Sequence, residues 1–338
     1  MVRWVRWVLG VLAVLVIAAA VLWWTPTSDY VILPGITENL NRIVSVPSAA
    51  SKLPRGKMLM VAVDVEPANL FYYLVGKYTP YGEVVPAQEL LGPTGNEQQY
   101  QQANMELMTQ SHLDAKVAAL RQLGYKATEI GQGVYVYQVV KHTPAAGHLK
   151  AGDVIESVDG TRVTTAQSLL NYMGHVTPGQ TLTLRVLRQK QTTSLQVGTI
   201  KSTATKNHAE LGVEIFTYKP NYDIPVNIKI RTGDISGPSA GMMFSLSIID
   251  HLKPQLDLTK GLTVAGTGTI DASGNVGAIG GIKEKVLTVY DAGAKIFIVP
   301  KGDYSDAVQE AKAVGIAGKL RIIPVGTLAQ AMAALQRH

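Results

Sequence analysis

Asp234-Ile-Ser-Gly-Pro-Ser-Ala-Gly241, followed by Met242-Met-Phe-Ser-Leu-Ser-Ile-Ile-Asp-His-Leu252, places one serine in a turn of small residues directly ahead of a strongly apolar helical run. Gly237 and Gly241 stand two residues to either side of Ser239. They let the backbone turn sharply and let a carbonyl approach without meeting a Cβ. The helix behind the turn aims its first N–H groups and the positive end of its dipole at the same point, which suits a developing oxyanion. Ser239 is therefore a candidate nucleophile. Gly-Pro-Ser-Ala-Gly also fits G-x-S-x-G, although that pattern alone more often marks a turn before a helix.

A nucleophilic serine needs a base. α/β-Hydrolases follow the order Ser, Asp or Glu, His, but beyond Ser239 the histidines are His251 and His338. His251 lies on the same helical run, about 18 Å away at 1.5 Å per residue, and His338 is the last residue, so a Ser-His-Asp triad is poorly supplied. Lysine is the alternative, provided burial or positive potential strips its proton. Gly277-Ala-Ile-Gly-Gly-Ile-Lys-Glu-Lys-Val-Leu-Thr-Val289 supplies two, Lys283 and Lys285, in the first turn of a helix. Its apolar positions Ile282, Val286 and Val289 recur at i, i+4 and i+7. Both lysines flank that stripe, and periodicity does not choose between them.

Pro-Ser-Ala-Gly ahead of an apolar helix, Thr267-Gly268 on a later strand, and Gly-Gly-Ile-Lys-Glu-Lys together resemble the proteolytic domain of Lon proteases, over residues 205 to 335. The resemblance implies a serine-lysine dyad with Ser239 as nucleophile and the first lysine, Lys283, as general base. It also implies that Thr267 holds the dyad lysine, and that the chain can assemble into a ring-shaped homo-oligomer. Many Lon enzymes carry aspartate three residues before the serine, where this chain has Ser236. That departure bears on substrate preference and rate more than on reaction class.

The 338 residues are enough for two or three domains, and 46% hydrophobic content with 17% charge is ample for buried cores. There is no cysteine, which excludes disulfides and thiolate metal sites. The net charge of +6 is mild. No basic run with interleaved aromatics points to nucleic acid.

Residues 7 to 28 carry no charge, and Trp7 to Trp24 is an apolar run that as a helix reaches about 27 Å, enough to span a bilayer. Arg3 and Arg6 precede it, which predicts a cytoplasmic N-terminus and an extracellular remainder. All four tryptophans, Trp4, Trp7, Trp23 and Trp24, lie at its two ends as an aromatic belt. A signal peptide cleaved near Ala18-Ala19-Ala20 is the competing reading.

Residues 29 to 56 read as an irregular leader, Met58 to Val65 as a strand, Ala68 to Val75 as a short helix and Tyr78 to Gly95 as loop. Asn96 to Leu123 reads as a long helix with a core stripe that includes Met108 and His112. From Gly133 an alternating strand, then Ala151-Gly-Asp-Val-Ile155, resembles a PDZ domain of the bacterial protease type, with Thr165 to Met173 as its groove helix and Thr181 to Leu187 as a closing strand. A PDZ groove binds an extended peptide by strand addition. After a polar junction from Thr203 to Glu210, Gly212 to Phe216 and Val226 to Ile230 read as the opening strands of the catalytic domain.

The expected architecture is α+β: a cytoplasmic tip and transmembrane anchor at 1–28, an N-terminal α/β segment at 29–127 packing with the catalytic region, a PDZ domain at 128–200 and a Lon-type proteolytic domain at 205–338. No G-x-x-x-x-G-K-[ST] occurs, and no metal-ligand motif, so neither nucleotide, metal nor other cofactor is expected. The arrangement resembles the surface-anchored Lon-like proteases of Gram-positive bacteria. It implies an ATP-independent serine endopeptidase acting on peptides or unstructured protein segments outside the membrane. A catalytically inactive PDZ adaptor or scaffold is the competing expectation.

Overall fold

The computed structural model of the protein describes residues 2–47, 55–79, 82–92, 96–202 and 209–337. The chain divides into two compact units, one built from Met1–Lys126 together with Val226–His338, the other from Ala127–Pro225. The first unit begins with helix α1 (Val2–Trp24), strands β1 (Pro26–Asn39) and β2 (Lys57–Asn69), helix α2 (Leu70–Tyr78), strand β3 (Glu83–Pro86) and helix α3 (Glu97–Gln122). The second unit holds strands β4 (Val134–Val139) and β5 (Val154–Val158), helix α4 (Ala166–Met173), and strands β6 (Thr181–Arg188), β7 (Gln191–Gly198) and β8 (Val213–Thr217). The chain then returns to the first unit with helix α5 (Gly241–Leu252), strands β9 (Thr263–Gly266), β10 (Thr269–Ile270) and β11 (Val276–Gly277), and helix α6 (Ile282–Asp291). Strand β12 (Ile296–Pro300), helix α7 (Tyr304–Ala313), strand β13 (Arg321–Val325) and helix α8 (Leu328–Gln336) complete it.

The first unit is organised on a six-stranded mixed sheet of order β13-β12-β9-β2-β1-β3. Strands β13, β12, β9 and β2 run parallel, while β1 lies antiparallel to both β2 and β3. A parallel strand covered on both faces reads as a continuous apolar run rather than an alternating one. Met58 to Val61 and Ile296 to Val299 fit that rule, since every residue in both runs is buried. Helices α6 and α7 cover one face, packing Ile282, Val286, Val289, Ala307 and Ala311 on Leu59, Val61, Ala265, Phe297 and Val299. On the other face Gly266 lies against Met243 of α5. Helix α5 is apolar on all sides because it is a core helix, with Gly241 to Asp250 buried throughout.

Three expectations change. The leader at 29–56 is not irregular over its first part: Pro26–Asn39 is a long strand, and its Pro34-Gly35 step falls at a register shift between Pro34 and Thr37. That bulge absorbs a dipeptide that otherwise reads as a loop. Residues 48–54 of that segment lie outside the described residues. Within Tyr78 to Gly95, strand β3 and a short helix at Ala87–Leu91 appear, with 80–81 and 93–95 outside the described residues. The third change concerns the catalytic boundary expected at 205. Val213–Thr217 joins the other unit, pairing antiparallel with β4, and the polar junction falls mostly at 203–208, outside the described residues.

The second unit is an antiparallel sheet of order β7-β6-β5-β4-β8. Leu182, Leu184 and Val186 of β6 are buried while Thr181, Thr183 and Arg185 between them are exposed, the period of a sheet with one covered face. Thr165 caps α4 through a capping box with Ser168, and the Ala166 N–H donates to Thr217 Oγ1 of β8 at 3.0 Å. Asp153, of the Ala-Gly-Asp-Val-Ile stretch, takes a two-point bond from Arg188 at 2.7 and 2.8 Å. Burial raises the Asp153 carboxyl, and the Arg188 bonds with the Lys150 N–H outweigh it, holding the group below the ordinary carboxylate value.

Candidate active site

Ser239 sits in a single 3-10 turn, Pro238–Ala240, that runs directly into α5. Gly237, just ahead, has φ 94°, a left-handed conformation that glycine adopts without strain. The turn is held from three sides. From α3, the Ser111 hydroxyl donates to Pro238 O at 3.1 Å, and Asn104 O accepts the Gly237 N–H at 3.1 Å. From the segment between β9 and β10, the Gly268 N–H and the Thr267 hydroxyl both donate to Ser239 O, at 2.7 and 3.0 Å.

The third side carries the chemistry. Lys285 of α6 reaches Ser239 Oγ with its Nζ at 3.1 Å and Thr267 Oγ1 at 3.3 Å. Lys285 is only 2% exposed and Thr267 is fully buried. Burial lowers the Lys285 ammonium to about 8, against the carboxylates of Asp303 and Glu284, which pull it up. A neutral amine has two N–H groups and one lone pair. Because Thr267 spends its own proton on Ser239 O, its lone pair accepts an amine N–H, which leaves the amine lone pair able to face the serine hydroxyl.

The structure therefore brings Ser239 and Thr267 together with Lys285, not with Lys283. Lys283 is exposed and lines a surface cavity with Glu284 and Glu310. The reason is helical geometry. Ile282, Lys285, Val286 and Val289 occupy i, i+3, i+4 and i+7, so Lys285 fills the open slot in the buried face while Lys283 projects from its flank. That slot was the signal available in the sequence.

Two further residues escaped sequence reasoning, Asn104 and Ser111, which clamp the serine turn from α3. Ser111 is a polar residue in the buried stripe between Met108 and Ala115, 3% exposed, and its position there is the trace it leaves in sequence. His112 of the same helix packs edge-on against Phe244 at 5.1 Å, and burial lowers it to about 4, which makes it a neutral core histidine. The helix amides are not all open toward the serine: Gly241 N–H donates to Pro238 O and Met242 N–H to Gly268 O.

Comparison with known proteins agrees with parts of this picture. A PDZ domain family model matches residues 121–199, so the chain contains a PDZ domain. The PDZ domain of an SdrC-like protein from Listeria innocua is 25% identical, covering 25% of this chain and 92% of its own length at a TM-score of 0.23. The Lon protease of Clostridium acetobutylicum is 31% identical over 180 residues, 51% of this chain and 22% of the relative. That of Ureaplasma parvum serovar 3 is 35% identical over 116 residues, 33% of this chain and 14% of the relative. The chain thus spans less than a quarter of the length of these curated relatives, and its similarity to them is that of a protease family over part of the sequence.

Proposed function

We propose that this protein is a membrane-anchored, ATP-independent serine endopeptidase that uses Ser239 and Lys285 as a catalytic dyad on peptides or unstructured protein segments outside the membrane. The observation that carries the reading is the buried Lys285 amine 3.1 Å from Ser239 Oγ. Neutral Lys285 takes the Ser239 proton as Oγ attacks the peptide carbonyl. The amide of Ser239, ahead of the first i→i+3 bond of the turn, would receive the oxyanion. As the intermediate collapses, the C–N bond breaks and the proton passes from Lys285 to the leaving amine. Lys285 then takes a proton from water as it attacks the acyl carbon, and returns that proton to Ser239 Oγ as the ester C–O bond breaks. Thr267 holds Lys285 in place as a positioning residue.

Helix α1 supports the membrane reading: Trp7–Trp24 has a mean hydropathy of 2.5 over 18 residues, none of it buried. A signal sequence has the same composition. Strand β8 supports a peptide-binding role for the PDZ domain, because it ends the sheet and lies beside α4, leaving an edge on which an extended peptide can add.

The test is cleavage of casein by the full chain in detergent, without nucleotide, beside Ser239→Ala. Loss of cleavage in the variant is the expected result. Equal cleavage by both proteins, or none by either when light scattering shows an assembled particle, would sink the reading in favour of an adaptor. The dyad also sets a pH profile. Only the neutral amine serves as base, so kcat/KM falls about tenfold per pH unit below the amine's value. With Lys285 at about 8, the profile rises to that pH and levels above it. A profile flat from pH 6 to 9 would exclude Lys285 as the base.

A further inference from the structure

Helix α2 carries an apolar stripe that faces outward. Phe71, Leu74 and Tyr78 stand at i, i+3 and i+7, the spacing that elsewhere marks a buried face, yet all three are exposed and no residue of α2 is buried. The position of that stripe is fixed by the chain's exit from α1. Thr25 follows the last residue of α1, and its carbonyl accepts the Leu70 N–H at 2.9 Å. Thr27 Oγ1 donates to Ala68 O at 2.6 Å, which ties the same corner a second time. Trp23, in the last turn of α1, meets Phe71 and Tyr72 at ring separations of 6.0 and 5.8 Å.

We propose that α2 is an interfacial helix that lays Phe71, Leu74 and Tyr78 into the bilayer that α1 crosses, fastening the proteolytic unit to the membrane surface. This rests on the reading of α1 as a span. The headgroup zone on each side of the hydrocarbon core is about 5–7 Å deep. One hydrogen bond from the end of α1, the first turn of α2 lies within that zone at any tilt of the helix. The polar groups fit the same level: Lys77 Nζ sits over the rings of Tyr73 and Tyr78 at 5.3 and 5.8 Å, an exposed cation among tyrosines. Tyrosine, tryptophan and a terminal lysine are the residues that settle between hydrocarbon and water. A second, partly inserted helix adds a further hold of the unit on the surface.

The chain has no cysteine, so single cysteines can be labelled without background. The experiment places a fluorophore at Leu12→Cys in α1, Leu74→Cys in α2 or Lys57→Cys in the full chain. The chain is reconstituted in vesicles of equal parts phosphatidylcholine and phosphatidylglycerol, with lipid spin labels at headgroup or acyl depth. Lys57 is exposed at the far end of β2, about 40 Å along the strand from Asn69. The expected result is that position 12 loses emission to the acyl quencher, position 74 loses about half to the headgroup quencher, and position 57 responds only to aqueous iodide. If position 12 is quenched while position 74 behaves like 57, α2 is off the membrane and the inference fails although the span stands. If position 74 is shielded from both lipid and iodide, protein covers the stripe, which also overturns it. An unquenched position 12 removes the span itself, and this inference with it.

Discussion

Lys285→Met is expected to abolish cleavage while making the protein more stable. Both effects come from one buried amine. Free lysine has a value of 10.5, and burial brings Lys285 to about 8. The unfolded chain therefore binds this proton more tightly than the folded one. Below pH 8 folding carries a penalty of about 3 kcal/mol, at roughly 1.4 kcal/mol per pH unit of difference, and the penalty fades as pH rises from about 8 toward 10.5. Methionine fills a similar volume without a charge to desolvate. Its gain is offset in part by the lost bonds to Ser239 and Thr267, each worth about 1 kcal/mol. The net expectation at pH 7 is stabilisation by about 1 kcal/mol, a rise in Tm of roughly 3 °C, with casein cleavage lost as completely as in Ser239→Ala. Lys283→Ala is the control and is expected to leave both quantities near their starting values, because that side chain is exposed. Cleavage retained in Lys285→Met, or lost in Lys283→Ala, would return the base to Lys283.

The turn that presents Ser239 and the helix behind it were legible because their signal is local: a run of small residues, an apolar helix, and nothing between. The C-terminal elements carry local marks of the same kind, from Thr327 capping α8 to the apolar run of β12. Lys285 was half legible. Its slot in the buried face of α6 can be counted from sequence, but a lysine in such a slot usually snorkels to water, and only the placement of α6 beside the Ser239 turn shows that this one does not. Strand β1 was obscured because Pro34 and Gly35 signal a break unless a bulge accommodates them. Strand β8 was assigned to the wrong unit because pairing between residues 213–217 and 134–139 is a long-range event with no local mark. The clamp from α3 belongs to the same class: Ser111 is 127 residues from the Pro238 carbonyl it bonds.

That clamp makes Gly241 the position where the smallest change should do the most harm. A Cβ there would stand 2.7 Å from Ile270 Cγ2 and 2.7 Å from Ser111 Oγ. The two atoms belong to different elements, β10 and α3, so one adjustment does not clear both. Turning Ser111 aside breaks its bond to Pro238 O, and moving β10 disturbs the segment that holds the Ser239 carbonyl through Thr267 and Gly268. The strain is therefore relieved by displacing the serine turn itself. Gly241→Ala is expected to cost about 2 kcal/mol of stability, typical of one methyl forced into a packed core. It should also lower kcat/KM about 100-fold, as a shift of about 1 Å between reacting groups does. Adding Ser111→Ala removes one of the two opposing atoms, so the double variant should regain part of the lost stability. It should not regain the activity, because the bond to Pro238 O is then gone. Thermal unfolding and casein cleavage measured on the single and double variants separate the two effects. Wild-type activity in Gly241→Ala would mean that the close packing around the turn does not set the position of Ser239.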